Sequence, residues 1–189
     1  MDETKEKILA AALDLFSTDS YAAVPTKTIA QLAAVNEVTL FRLFSSKRNL
    51  YLEVFRRFFV VPTESFLFGG LRGDLPSDIR LLGRTIASLF IGNHKVVRMS
   101  LKEMENFPEI KDELRRHPVV LISLVSTYFR RVAAEDSWAD DPDRLAEVFV
   151  TSLMGTVIHL QRFKPAAAVL AFVDDFTTVL FRGMRVPTA

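Results

Sequence analysis

The chain has 189 residues, enough for one well-filled core or for a small module fused to a larger one. Almost half of them (49%) are hydrophobic, the formal net charge is +1, and there is no cysteine, which excludes disulfides, cysteine-type zinc sites and thiol nucleophiles together. The acidic, polar start MDETKEK does not resemble an export signal, and the apolar run from Ala166 to Val173 is too short to cross a bilayer, so a cytoplasmic protein with no membrane partner is expected.

Helical periodicity dominates and strand alternation is scarce. A first helix is predicted from about Glu3 to Thr18, with Ile8, Leu9, Ala12, Leu15 and Phe16 on one face. A turn at Asp19-Ser20-Tyr21 separates it from a shorter helix that starts near Pro25-Thr26, because proline suits a first helical position. That helix buries Ile29, Leu32 and Ala33. Asn36 can then accept a hydrogen bond from an early free amide of a third helix, in which Leu40 and Phe44 share a face.

Two short helices joined by a tight turn make a helix-turn-helix, whose second member is packed by its apolar side and projects its early residues outward. Leu40 and Phe44 supply the packing, which leaves Glu37, Val38, Thr39 and Arg42 to face a groove. Lys47 and Arg48 fall at the start of a fourth helix, where free amides and cationic side chains together favour a phosphate. Residues 1–50 sum to zero charge, whereas between positions 42 and 57 Arg42, Lys47, Arg48, Arg56 and Arg57 face only Glu53. Such a run suits a phosphate-facing edge or a solvated helix face. Glu37 could accept from a cytosine amino group or simply complement the helix dipole.

The stretch KILAAALDLF…IAQLAAVNEVTLFRLFSSKRNLYLEVF resembles the tetracycline-repressor (TetR) family of transcriptional regulators. Against the family pattern A-G-V-S-x-x-T-L-Y-x-Y-F-x-S-K-x-x-L, the chain supplies Ala33, Val35, Thr39, Leu40, Phe44, Ser46, Lys47 and Leu50 in register. The resemblance covers about the first third of the chain and implies binding to double-stranded DNA at a palindromic operator. It departs at Ser20 and Ala34, where the family prefers glycine, and at Phe41 and Leu43, where family tyrosines often donate hydroxyl bonds to phosphates. A left-handed residue at Ala34 would cost roughly 1–2 kcal/mol, so a turn that avoids that geometry is expected. With the two hydroxyls gone, Thr26, Lys27 and Lys47 are expected to carry more of the phosphate anchoring.

The fourth helix should run from Lys47 to about Val60, ended by Pro62, and FLFGGLRGDLP reads as a loop. Its glycines lack the Gly-Lys-Ser/Thr ending of a phosphate-cradling loop. Further helices are predicted at Asp74 or Leu75 to Asn93, His94 to about Asn106, Pro108 to about Glu135, Pro142 to Phe163 and Pro165 to Arg182. The expected fold is all-α, with about nine helices in total. A helix-turn-helix module at 1–50 (the motif itself at about 25–44) precedes a helical effector-binding and dimerisation domain at 51–189.

The last two helices are apolar nearly all round, and such helices must be buried on more than one side. A second copy of the chain should supply the missing cover, and roughly 800 Å² per subunit would suffice. Ser152, Gly155, Thr156 and His159 fall at i, i+3, i+4 and i+7, three of them small enough for close approach; Val169, Phe172, Phe176 and Leu180 come from the last helix. The resemblance implies the same arrangement, since family members are two-fold dimers joined through their last two helices.

A ligand pocket could be lined by Phe90, Met99, Met104, Phe107, Leu124, Tyr128, Phe149 and Leu153, with Arg98, Thr127 or His159 as polar holds. The inference to a small, mostly apolar or aromatic effector comes chiefly from the family. Catalysis finds no constellation: His94, His117 and His159 have no metal-binding spacing, and Asp140-Asp141 and Asp174-Asp175 suit solvated or capping roles. Trp138 is expected to be a local packing anchor. No cofactor or metal is called for. The reading is a ligand-responsive repressor, and the alternative is a helical small-molecule or lipid-binding protein whose N-terminal module no longer binds DNA specifically.

Overall fold

The computed structural model describes residues 3–135 and 141–184. Ten helices and no strands occur among them: α1 Glu3–Thr18, α2 Thr26–Leu32, α3 Glu37–Phe44, α4 Lys47–Phe58, α5 Glu64–Phe68, α6 Leu75–Gly92, α7 His94–Glu103, α8 Pro108–Glu135, α9 Pro142–Leu160 and α10 Ala166–Met184. The all-α expectation holds, and α5 is the additional helix. It lies in the stretch expected to be loop, because the Thr63 hydroxyl caps it by accepting from the Phe66 N–H at 3.3 Å, and Leu67 has a core to enter. Trp138 and Asp140 lie outside the described residues. No helix among the described residues is long and apolar enough to cross a membrane.

Two compact units share the chain. One takes in residues 1–60 and 93–114, the other 61–92 and 115–189. The sequence suggested a boundary near residue 50, but the first unit keeps all of α4 and then regains α7 and the first turns of α8. Packing explains this. Ile8, Ala12 and Phe16 of α1, Ile29 of α2, Leu40 and Phe44 of α3 and Leu50, Tyr51 and Val54 of α4 form one core with Val96, Met99, Phe107 and Ile110. The Tyr51 ring stacks on Phe107 with centroids 4.4 Å apart, and its hydroxyl donates to the Met99 carbonyl at 2.8 Å. Without α7 and Phe107 that phenol would face water.

The second unit is built on α6, α8, α9 and α10. Ile79, Leu82, Ile86, Leu121, Val125, Phe129, Phe149, Val150, Leu153, Val169 and Val173 make its core. Gly83 of α6 lets α10 approach closely. A Cβ built there would sit 2.6 Å from Thr177 Cγ2, 3.3 Å from Val173 Cγ1 and 3.6 Å from Phe149 Cζ. Alanine in a helix interior is ordinarily better than glycine by ~1 kcal/mol. Here Gly83→Ala is expected instead to destabilise this unit by about 1–3 kcal/mol through overpacking, measurable as a lower urea midpoint at unchanged slope. α8 passes from one unit to the other at Leu114–Arg115, and Pro118, a turn later, has no N–H to give the Leu114 carbonyl.

Candidate nucleic-acid interface

The outward surface of the first unit is set by how α2 and α3 are capped. The Asn36 side chain accepts from the Val38 N–H at 2.9 Å and starts α3 where the sequence predicts it to start. The turn before it does not avoid the left-handed region, contrary to expectation: Ala34 has φ 55°. The reason is the closure of α2. The Ala34 N–H donates to the Gln31 carbonyl at 3.1 Å, and the Val35 N–H reaches back to the Ala30 carbonyl at 2.9 Å, a Schellman ending that requires a left-handed residue between them. Two satisfied carbonyls offset the roughly 1–2 kcal/mol that alanine costs there. Ser45, with φ 62°, closes α3, and the Ser46 hydroxyl caps α4 by accepting from the Asn49 N–H at 3.0 Å.

Leu40 and Phe44 are buried, as their spacing requires, so the opposite face of α3 looks outward. Val38, Phe41 and Arg42 are exposed there, Val38 to 74%, and Thr39 is half-buried. Lys27 on α2 is exposed as well. Glu37 is already engaged: the Thr26 hydroxyl donates to its Oε1 at 2.6 Å, tying the first turn of α2 to the first turn of α3. Neither partner of that bond was expected to hold the other.

The two cations at the head of α4 separate in role. The Lys47 ammonium lies 4.5 Å from the centroid of the Tyr21 ring, and its pKa is lowered by burial, against a smaller raising effect of the Glu103 carboxylate. Glu103 itself accepts from the Tyr21 N–H and the Asn106 side-chain amide, each at 2.8 Å. Arg48, although exposed, is engaged by its own unit. Its guanidinium lies over the Phe107 ring at 4.5 Å and donates to both Glu109 oxygens at 3.0 Å. The Glu109 carboxyl is held below the usual range by its own backbone N–H and then by Arg48. Among the basic residues between 42 and 57, Arg57 is also paired, with Glu6. The basic run is therefore partly scaffold. Tyr21 and Glu103 had no local sequence signal, since their bond spans 82 positions.

The segment that builds this surface matches the model of bacterial regulatory proteins, tetR family, over residues 8–54. Over that segment the chain is similar to the tetR family. A curated relative from Bacillus subtilis strain 168, the uncharacterized HTH-type transcriptional regulator YvkB, is 24% identical over 160 residues, 84% of each chain. Among solved structures, the fatty acid degradation regulator FadR from Bacillus halodurans superposes with TM-score 0.71 at 16% identity over 99% of both chains. NalD, the secondary repressor of the MexAB-OprM multidrug efflux pump in Pseudomonas aeruginosa, superposes with TM-score 0.68 at 17% identity, covering 97% of this chain and 96% of its own. These structures share the fold.

The residues read as a pocket divide between the two cores. Phe90, Tyr128, Phe149 and Leu153 are buried in the second unit, where Leu124 is half-buried and Thr127 is exposed, its hydroxyl donating to the Ser123 carbonyl at 3.0 Å. Met99 and Phe107 are buried in the first unit, with Met104 half-buried and Arg98 exposed. Of the residues read as a dimer face, Gly155, His159 and Phe172 are exposed, and Ser152, Thr156, Phe176 and Leu180 are half-buried. Val169 is a correction. It is fully buried in its own chain because it points at the α6 side of α10, as Val173 does four residues on. Among the described residues no cluster of His, Asp and Glu could hold a metal ion.

Proposed function

We propose that this protein is a tetR-family regulator, a ligand-responsive repressor that binds a palindromic operator as a homodimer. The observation that carries the reading is α3, capped, packed on one side by Leu40 and Phe44, and open on the other at Val38 and Arg42. In a two-fold dimer, paired recognition helices meet successive major grooves about 34–36 Å apart, or at a multiple of that distance. Support for the dimer comes from α9 and α10, which expose Val148, Phe172 and Val179, the last to 68%. Gly155 has open space where a side chain would be, so a second helix could come close. The effector is small and mostly apolar, in keeping with the phenyl-rich second core, and releases the operator only by binding one state of the protein better than the other.

Arg42 reads a base and Lys27 and Lys47 grip phosphates. Fluorescence anisotropy with the full-length protein and its operator, with and without fatty acids and planar aromatic compounds, tests this. Arg42→Ala should cost about 1–3 kcal/mol at the preferred sequence and relax preference at one position, while Lys47→Ala weakens every duplex alike. Four phosphate contacts, two from each subunit, predict about a hundredfold loss of affinity for a roughly fourfold rise in salt. Equal, salt-insensitive binding to all duplexes would refute the repressor reading. It would favour instead a helical binder of small molecules or lipids, which the hydroxyl-free Phe41 and Leu43 also suit.

A further inference from the structure

Two of the acceptors at the start of α3 are already engaged. Asn36 Oδ1 is taken by the Val38 N–H, and Glu37 Oε1 by the Thr26 hydroxyl. What remains solvent-facing along the stripe is Val38, Phe41 at i+3 and Arg42 at i+4, with Val38 74% and Phe41 42% exposed. Single apolar residues on a surface need no explanation. Two on one stripe of an eight-residue helix, beside a guanidinium and with one oxygen of the neighbouring carboxylate held by Thr26, have a specific chemical counterpart. In the major groove each base pair shows donors and acceptors, and the one apolar group on offer is the thymine C5-methyl.

Resting on the DNA-binding reading above, we propose that Val38 and Phe41 read thymine methyl groups in each half-site, beside a guanine held by Arg42. The stripe predicts the order of these contacts along the groove, because residues three and four apart on a helix are neighbours. Phe41 stands where the resemblance expects a phosphate-binding tyrosine, so its ring has lost a backbone contact and is free to serve a base. Neither side chain belongs to the core that holds α3, which rests on Leu40 and Phe44. Truncating them leaves the fold intact.

The test starts with duplexes enriched from a random pool by the full-length protein. Each thymine of the enriched half-site is then replaced singly by deoxyuridine, which removes the methyl and nothing else. At the contacted thymines the substitution should weaken binding about fourfold, the worth of one apolar carbon taken from water. Val38→Ala should abolish that penalty at one position and Phe41→Ala at another, while Arg42→Ala leaves both penalties in place. Deoxyuridine sites that bind like the parent, a half-site without thymine, or penalties unchanged in both variants would overturn the methyl reading alone. Failure to enrich any sequence would overturn DNA recognition, and this inference with it.

Discussion

Tyr51→Ala is expected to destabilise the first unit by about 4 kcal/mol, the usual cost of emptying a buried aromatic site. The phenol is completely buried, 4.8 Å from the Phe16 ring, 5.3 Å from Tyr21 and stacked on Phe107. Its hydroxyl donates to the Met99 carbonyl, so the truncation also leaves a buried acceptor without its donor. Whole-domain stabilities are about 5–15 kcal/mol, so a loss of this size should also abolish the proposed operator binding, although no exposed residue of α3 changes. Tyr51→Phe separates the two effects. It keeps the ring contacts and should cost about 1 kcal/mol in urea unfolding, with DNA binding retained. If the alanine variant bound DNA with unaltered affinity and midpoint, the core described for this unit would be wrong. Burial, then Glu103, raises the Tyr51 pKa well above the usual phenol range. The neutral phenol therefore supports the fold fully below the unfolded pKa, about 10, and that support is lost as pH rises above it. Tyr51→Phe should flatten this alkaline decline.

The second large effect lies at Asp78. Its carboxylate is 1% exposed and accepts from the Arg72 N–H at 2.9 Å, the Gly73 N–H at 2.8 Å and the Tyr128 hydroxyl at 3.0 Å. One side chain thus closes the loop after α5, including Gly73 at φ 87°, onto the first turn of α6 and the middle of α8. Asp78→Ala strands three donors and is expected to cost about 3–5 kcal/mol. Asp78→Asn, which turns an N–H toward groups that themselves donate, should recover less than half of that loss. Tyr128→Phe should lose only about 1–3 kcal/mol, since two amides keep their acceptor. Thermal melts of the three variants check the order. An alanine variant no worse than the Tyr128 variant would mean that the two amides contribute nothing.

Long, well-patterned elements were legible in the residues. The bounds of α1 follow from its apolar stripe, α9 begins at Pro142 behind an Asp141 cap as expected, and Asn36 caps α3 by the bond anticipated for it. Legibility ended where distant parts of the chain meet. No local pattern indicates that Tyr21 will seat Lys47, that Arg48 will be taken by Glu109, or that Thr26 will hold Glu37. Short α5 is invisible to periodicity, since five residues give barely one turn. At Ala34 the propensity argument met the stronger demand of closing α2. Gly155 drew attention as a close-approach residue within an apolar helix, yet it has open space around it, and Gly83 is where α10 comes close to α6. Pattern identifies a small residue but not which neighbour it admits.

The chain crosses between its two units three times, after Val60, after Gly92 and after Leu114. The first unit is therefore not a cassette that can be cut off at one peptide bond. A fragment ending at residue 60 would carry Tyr51 without Phe107 or the Met99 carbonyl, and Lys47 without Glu103 behind Tyr21. Engineers wishing to graft the first unit onto a foreign partner must transplant 93–114 along with 1–60 and accept three seams, one of them inside a continuous helix.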